Sequence, residues 1–382
     1  MRMKPLPATR SAVALAAAGA LLTACGGADA GNVSAPTGKG PLSGICPATV
    51  VIQTDWYATP ERAAAYQLVG PDGKVDTRKG AYAGPLGDTG VNVEVRLGGP
   101  FLGGQPIPAQ MYQDKSITLG FVPTDDAVRS AEKFPVKAVF SSLDINPQII
   151  MFDPATYPDV RTWKDVPATK AKVVYSEGKA YMDFLIAKGL VTKEQADASF
   201  DGTPSRFVAD KGKSMQQGYI SNEPYRWQND VQGWKKPVKS LLIHEAGYEI
   251  YQHGWSVRAG ELEKNRACLA KLVPMLQKAQ VDYVQNPGPI NQALVRIAET
   301  IPDGPPITLP GNTDSVRVMK EQKIVGNGPN ATLGDFDLKR TARAIAAVTP
   351  IFTARGDTIP AGLKPEDIVT NEFIDTSIGL KG

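Results

Sequence analysis

Short runs rich in Val, Ile and other β-formers recur along this chain with helix-like stretches between them. That alternation limits it to α/β architectures. The candidate strands are ATVVIQT (48–54), VNVEVRL (91–97), SITLGFV (116–122) and VKAVFSS (136–142), then QIIMF (148–152), KVVYS (172–176), MQQGYIS (215–221) and KSLLIHE (239–245). Helices are expected over 60–69, 124–132, 179–189, 258–279, 288–300 and 336–348, so the last third is mostly helical. The strands form two groups, each with its own helices, which predicts two α/β lobes. The length from about residue 46 to 382 is ample for two such cores.

In open α/β sheets, ligands sit beyond the carboxyl ends of the strands. The first strand exits into Asp55-Trp56-Tyr57, VEVRL into Gly98-Gly99, KVVYS into Glu177-Gly178, and GYIS into Asn222-Glu223-Pro224. Acids, aromatics and glycines at strand exits suit a ligand cleft. Thr59 before Pro60 can cap a helix, which leaves Asp55 free for a ligand, although Asp55 could itself cap and Trp56 could be core. Trp56 or Tyr57 would supply a flat wall. Glu177 either meets a ligand or complements a helix dipole. Glu223 is a contact or a surface acid beside a proline turn. Tyr181 and Tyr219 are candidates for the cleft or for core packing, and Asp144 for a turn cap or a contact.

The N-terminus carries Arg2, Lys4 and Arg10, followed by the uncharged run SAVALAAAGALL and then Leu22-Thr23-Ala24-Cys25. These are the proportions of a secretory signal, residues 1–24, and the cysteine after a small-residue site resembles a bacterial lipobox, which implies lipidation of Cys25. The Gly-, Ala-, Ser- and Pro-rich residues 25–45 read as a flexible tether, and about 20 such residues reach roughly 25 Å. No other segment is long and apolar enough to span a bilayer. In an oxidising compartment the remaining cysteines, Cys46 and Cys268, are expected to pair. The 42 Lys and Arg against 39 Asp and Glu give a net charge of +3 without a basic run, and so no support for nucleic-acid binding.

A strand ending in DW before a Pro-Glu helix start, the later QQGYISNEP and the closing LKPEDIVTNEFID resemble type II solute-binding proteins of ABC transporters. The nearest branch is the one that binds thiamine-pyrimidine precursors, sulfonates or nitrate. The resemblance covers most of residues 48–376. It implies a two-lobed periplasmic-binding-protein fold joined by two crossovers, near Ser141–Pro147 and Lys239–Gly247, that closes on its ligand like a hinged trap. Lobe I would comprise 46–142 and 245–382, and lobe II 143–244. The implied partners are a small-molecule ligand, an ABC permease with its ATPase, and the membrane through the lipid anchor, for a monomer without cofactor or metal. Two stretches depart from the family pattern: GGPFLGGQPIP (98–108) and the insertion-like 70–90.

The candidate contacts Asp55, Glu177 and Glu223 are acids, and the only arginine near a strand exit is Arg96, which alternation places within its strand. A sulfonate or nitrate site needs converging cationic or N–H donors. An aminopyrimidine or related amine-bearing heterocycle is therefore the expected ligand, with an oxoanion binder as the alternative. An enzyme is disfavoured. His244 and His253 are the only histidines, no G-x-S-x-G elbow occurs, and GKS at 212–214 lacks the first glycine of a phosphate loop. A purely structural surface lipoprotein is the third reading.

Overall fold

The computed structural model describes residue 33, residues 35–301 and residues 304–381. The signal and lipobox residues, Cys25 included, lie outside these. The strands, in chain order, are β1 (Thr49–Gln53), β2 (Lys74–Asp76), β3 (Ala81–Pro85), β4 (Asn92–Arg96), β5 (Ile117–Val122), β6 (Val136–Ser141), β7 (Gln148–Phe152), β8 (Val173–Val174), β9 (Ala196–Asp197), β10 (Met215–Tyr219), β11 (Lys239–Leu242) and β12 (Gly254–Arg258). They build two sheets, ordered β2-β3-β4-β1-β5-β12-β6 and β11-β7-β10-β8-β9. The chain leaves the first sheet between β6 and β7 and returns between β11 and β12, giving the α/β fold with two crossovers expected from the sequence.

The central strand β1 is parallel to both neighbours, with Thr49 opposite Asn92 on β4 and Val51 opposite Ile117 on β5. Such a strand is covered on both faces, which is why TVVIQ reads as a nearly continuous apolar run. On one face Val50 and Ile52 belong to one buried cluster with Tyr66, Leu269 and Leu294 from the helices Ala63–Val69, Leu262–Gln285 and Gly288–Thr300. Val51, on the other face, joins a cluster that runs through Tyr248 and Phe352 to Ile150 and Val173 of the second sheet. The two sheets thus share apolar packing, partly through the helix Leu338–Ala354, and are not fully separate cores.

The helix Leu338–Ala354 also holds both crossovers. Arg340, 7% exposed, donates to Asp144 Oδ1 at 2.9 Å and Asp144 O at 2.6 Å on the outgoing segment. On the return segment it donates to Glu249 O at 2.7 Å and Ile250 O at 3.0 Å, while stacking over the Tyr251 ring at 3.9 Å. Only a planar guanidinium offers donors in enough directions for this.

Several expectations change. The insertion-like residues 70–90 are ordered by the sheet: β2 and β3 form an antiparallel pair that extends the first sheet from β4. Its tyrosine, Tyr82, is 1% exposed and its hydroxyl donates to Gly70 O at 2.7 Å. The tether ends before residue 45. Residues 40–46 turn back onto the fold, Leu42 is 1% exposed, and its N–H donates to Thr89 O at 3.1 Å. The strand β12 has no counterpart among the expected strands, and the helix expected over 258–279 forms from Leu262 to Gln285. Asn222-Glu223-Pro224 opens a helix, Glu223–Asn229, with proline in its first turn. A disulfide joins Cys46 to Cys268, fastening the approach to β1 to the helix Leu262–Gln285.

Candidate functional site

β1 ends at Gln53, and the next residues turn beneath Gly98-Gly99. A Cβ on Gly98 would overlap the Thr54 carbonyl, and one on Gly99, whose φ is +60°, would press on the Trp56 ring. These glycines let the two strand exits lie side by side. Trp56 is held there half-buried with an edge toward Tyr57, their ring centroids 5.8 Å apart. Trp56 and Gly99 line a cleft between the two sheets. Tyr57 does not line it. Its ring is 8% exposed within the first core, against Gly304, so the expected role at the lip is corrected to packing. Gly98 also stays behind the surface.

Asp55 is not free. Arg62 Nε donates to its Oδ1 at 2.7 Å, and the side chains are 4% and 15% exposed for Arg62 and Asp55. Arg62 Nη1 donates to Thr59 Oγ1 at 2.9 Å, so the Thr59 hydroxyl serves the arginine and makes no capping bond. Burial pushes the Asp55 carboxyl up, but the charge and hydrogen bond of Arg62 lead the effects that more than offset it and hold it below its ordinary value. Burial likewise works against the Arg62 charge, and Asp55 outweighs it. His253, fully buried, has its Nε2 3.7 Å from Asp55 Oδ1; burial lowers its pKa to about 4, so the ring is neutral at pH 7.

The second sheet faces this group. Glu61 accepts from Ser221 Oγ, a hydrogen bond between the turn after β1 and the turn after β10. Tyr219 places its ring 5.9 Å from the Arg62 guanidinium, and its N–H donates to Glu223 Oε2 at 2.6 Å. Burial raises the Glu223 pKa, with Arg226, 3.7 Å away, and the Tyr219 N–H opposing it. Tyr181, 2% exposed, donates its hydroxyl to Gln217 Oε1 at 2.8 Å. Tyr181, Tyr219, Asn222 and Glu223 all line the deep cavity of about 150 Å³ together with Asp55 and Arg62.

That cavity shares Asp55, Trp56, Lys179 and Gln252 with an outer one of about 440 Å³, where Glu177 and Gly178 lie exposed at the rim. Asp125 and Asp126 face the same outer space. Asp125 accepts from Tyr248 at 2.6 Å, while burial, and then the Asp125 charge, raise the Asp126 pKa to about 6. Asp144 lines a different cavity, with Asp335 and Asp337, and its carboxylate is bound by Arg340, so it is no cleft residue. His244 lies in a short turn directly after β11.

The charge balance differs from the sequence expectation. Arg62 and Arg226 accompany the acids in the deep part, and Lys179 lies at the rim, so the cleft is not lined by acids alone. Sequence reasoning missed Arg62 because it sits in a turn seven residues beyond Asp55 and its side chain folds back. Gln148, Gln217 and Gln252 were also missed, since a glutamine carries no positional signature. Among the described residues, no group of three or more His, Cys, Asp or Glu is placed to hold a metal ion. No helix among them is long and apolar enough to cross a membrane.

No protein-family model and no curated protein matches this chain. Solved structures do. The periplasmic aliphatic sulphonate binding protein SsuA from Escherichia coli is 14% identical, with 88% of this chain and 95% of that chain covered and a TM-score of 0.54. The periplasmic nitrate-binding protein NrtA from Synechocystis PCC 6803 is 14% identical, with 85% and 87% covered and a TM-score of 0.50. A ligand-binding component of an ABC-type import system from Staphylococcus aureus, solved with zinc bound, is 11% identical, with 85% and 97% covered and a TM-score of 0.50. The likeness is one of fold: this chain has the periplasmic-binding-protein fold.

Proposed function

We propose that the chain is an extracytoplasmic solute-binding lipoprotein that delivers a small molecule to an ABC importer. The observation that carries this reading is the convergence of Asp55, Trp56 and Arg62 from the first sheet with Tyr181, Tyr219 and Glu223 from the second on one cleft. Ligand bound there touches both sides of two crossovers, the arrangement a closing trap requires. Proteins that share the fold and are named as sulphonate, nitrate or import-system binders support the same reading. The lobe boundaries at 142/143 and 244/245, the signal peptide 1–24, lipidation at Cys25 and action as a monomer belong to the proposal.

An amine-bearing heterocycle remains the first ligand reading. Arg62 is held by Asp55 and Arg226 lies near Glu223, so an oxoanion would compete with carboxylates already in place, whereas the aromatic rings and the outer acids suit a flat, basic ligand. The second reading, a sulfonate or nitrate binder, has Lys179 in its favour, a cation at the cleft rim. A melting series of residues 46–382 against aminopyrimidines, thiamine, alkanesulfonates, nitrate, riboflavin and polyamines tests both. A ligand at a hundredfold its Kd stabilises by about 2.7 kcal/mol. A shift with an aminopyrimidine supports the first reading and a shift with a sulfonate the second. No shift with any of them removes the binding proposal for these classes.

A further inference from the structure

Gln252 stands on the return crossover, immediately before His253, and is 4% exposed. It lines both the deep and the outer part of the cleft. Its Oε1 is buried and has no hydrogen-bond partner. The neighbouring amides differ. Gln217 Oε1 accepts from the Ser176 N–H at 2.7 Å as well as from Tyr181, and its Nε2 donates to Ser176 Oγ at 3.0 Å. Gln148 Oε1 accepts from Asn146 Nδ2 at 3.2 Å. A buried amide oxygen left without a donor weakens a fold, and native proteins keep few of them. One that borders a cleft is explained when a ligand supplies the missing donor.

We propose that Gln252 is a ligand-recognition residue, and that its carboxamide reads an edge of the ligand on which an N–H donor stands beside an acceptor. A carboxamide presents the complementary pair, C=O beside N–H, and binds such an edge with two hydrogen bonds, as glutamine does with the amino and ring nitrogens of adenine. Amides, amidines and amino-azines carry this edge. Nitrate and sulfonates carry acceptors only and would leave Oε1 unpaired. The position adds a consequence: a ligand bonded to Gln252 is bonded to the segment that joins the two sheets, so recognition is coupled to any movement between them.

The inference rests on the binding reading of the cleft and narrows its ligand class. It is tested in the full-length chain with Gln252→Leu and Gln252→Glu, by melting temperature without ligand and by titration with 4-aminopyrimidine, ethanesulfonate and nitrate. Gln252→Leu is expected to melt at or up to about 2 °C above the wild type, since an unpaired buried oxygen is removed. Both variants are expected to lose at least about tenfold in affinity for 4-aminopyrimidine, the glutamate because it lacks the N–H. A lower melting temperature for ligand-free Gln252→Leu makes the amide structural and overturns the inference. So does unchanged 4-aminopyrimidine affinity in either variant, or a wild type that binds only nitrate or ethanesulfonate; these outcomes leave the binding reading standing. A wild type that binds none of the three overturns both.

Discussion

Arg62 Nε lies 2.7 Å from Asp55 Oδ1, and this buried ion pair forms the floor of the cleft where β1 ends. The pair decides how Asp55 must be read. An acid free at a strand tip could be removed without lowering stability; an acid that neutralises a buried guanidinium cannot.

Asp55→Ala is therefore expected to destabilise the ligand-free protein by about 3 kcal/mol, because Arg62 keeps its charge and loses its partner. Arg62→Met alone should cost a similar amount. The double variant should recover a large part of the loss, and denaturant melts of the four proteins give the coupling directly. Additive losses would mean that the two side chains do not stabilise each other.

Arg340→Lys tests the hold on the crossovers. An ammonium cannot serve Asp144 Oδ1, Asp144 O, Glu249 O and Ile250 O together, so buried carbonyls are left without donors. A loss of about 2–4 kcal/mol is expected in urea unfolding. A loss below about 0.5 kcal/mol would show that the carbonyls find other partners.

The disulfide closes a loop across 222 residues of sequence. On the chain-entropy account it contributes about 5 kcal/mol, an upper figure. Cys46→Ser with Cys268→Ser should lower the urea midpoint, and reductant should do the same to the wild type while leaving the double variant unchanged.

Protonation sets an acid limit to stability. In the unfolded chain a histidine takes up its proton near pH 6.5, but His253 in the fold does so only near 4. Its neutral state thus contributes stability that is full above about 6.5 and is lost as pH falls toward 4, on the order of 3 kcal/mol. His244, also lowered to about 4, acts in the same window, while Asp126, raised to about 6, acts in the opposite sense between about 6 and 3.8. His253→Gln should flatten the fall in melting temperature between pH 6.5 and 4. An unchanged slope would exclude His253 as its source.

Strong local signals carried much of this architecture. The helix 288–300 was legible from its Gly-Pro start and apolar period, and β7 from the run QIIMF between turn residues. Edge elements were not: KVD and AYAGP become strands because β4 offers them an unpaired edge, which is a tertiary fact. At the cleft, Trp56 and Glu223 were legible from their places after strands. Tyr57 was not separable from Trp56, because alternation beyond a strand end no longer fixes which side chain turns inward. Arg62 and Gln252 gain their places from a turn and a crossover, and neither leaves a pattern in sequence.

The central claim is that one ligand is held from both sheets. The most direct measurement is a calorimetric titration of 4-aminopyrimidine into the wild type, Trp56→Ala and Tyr219→Leu. Binding to the wild type is expected, with a loss of about tenfold or more, about 1.4 kcal/mol, in each variant. A loss confined to one side of the cleft would contradict the claim, whereas no binding to the wild type would remove 4-aminopyrimidine as the ligand and move the same test to ethanesulfonate.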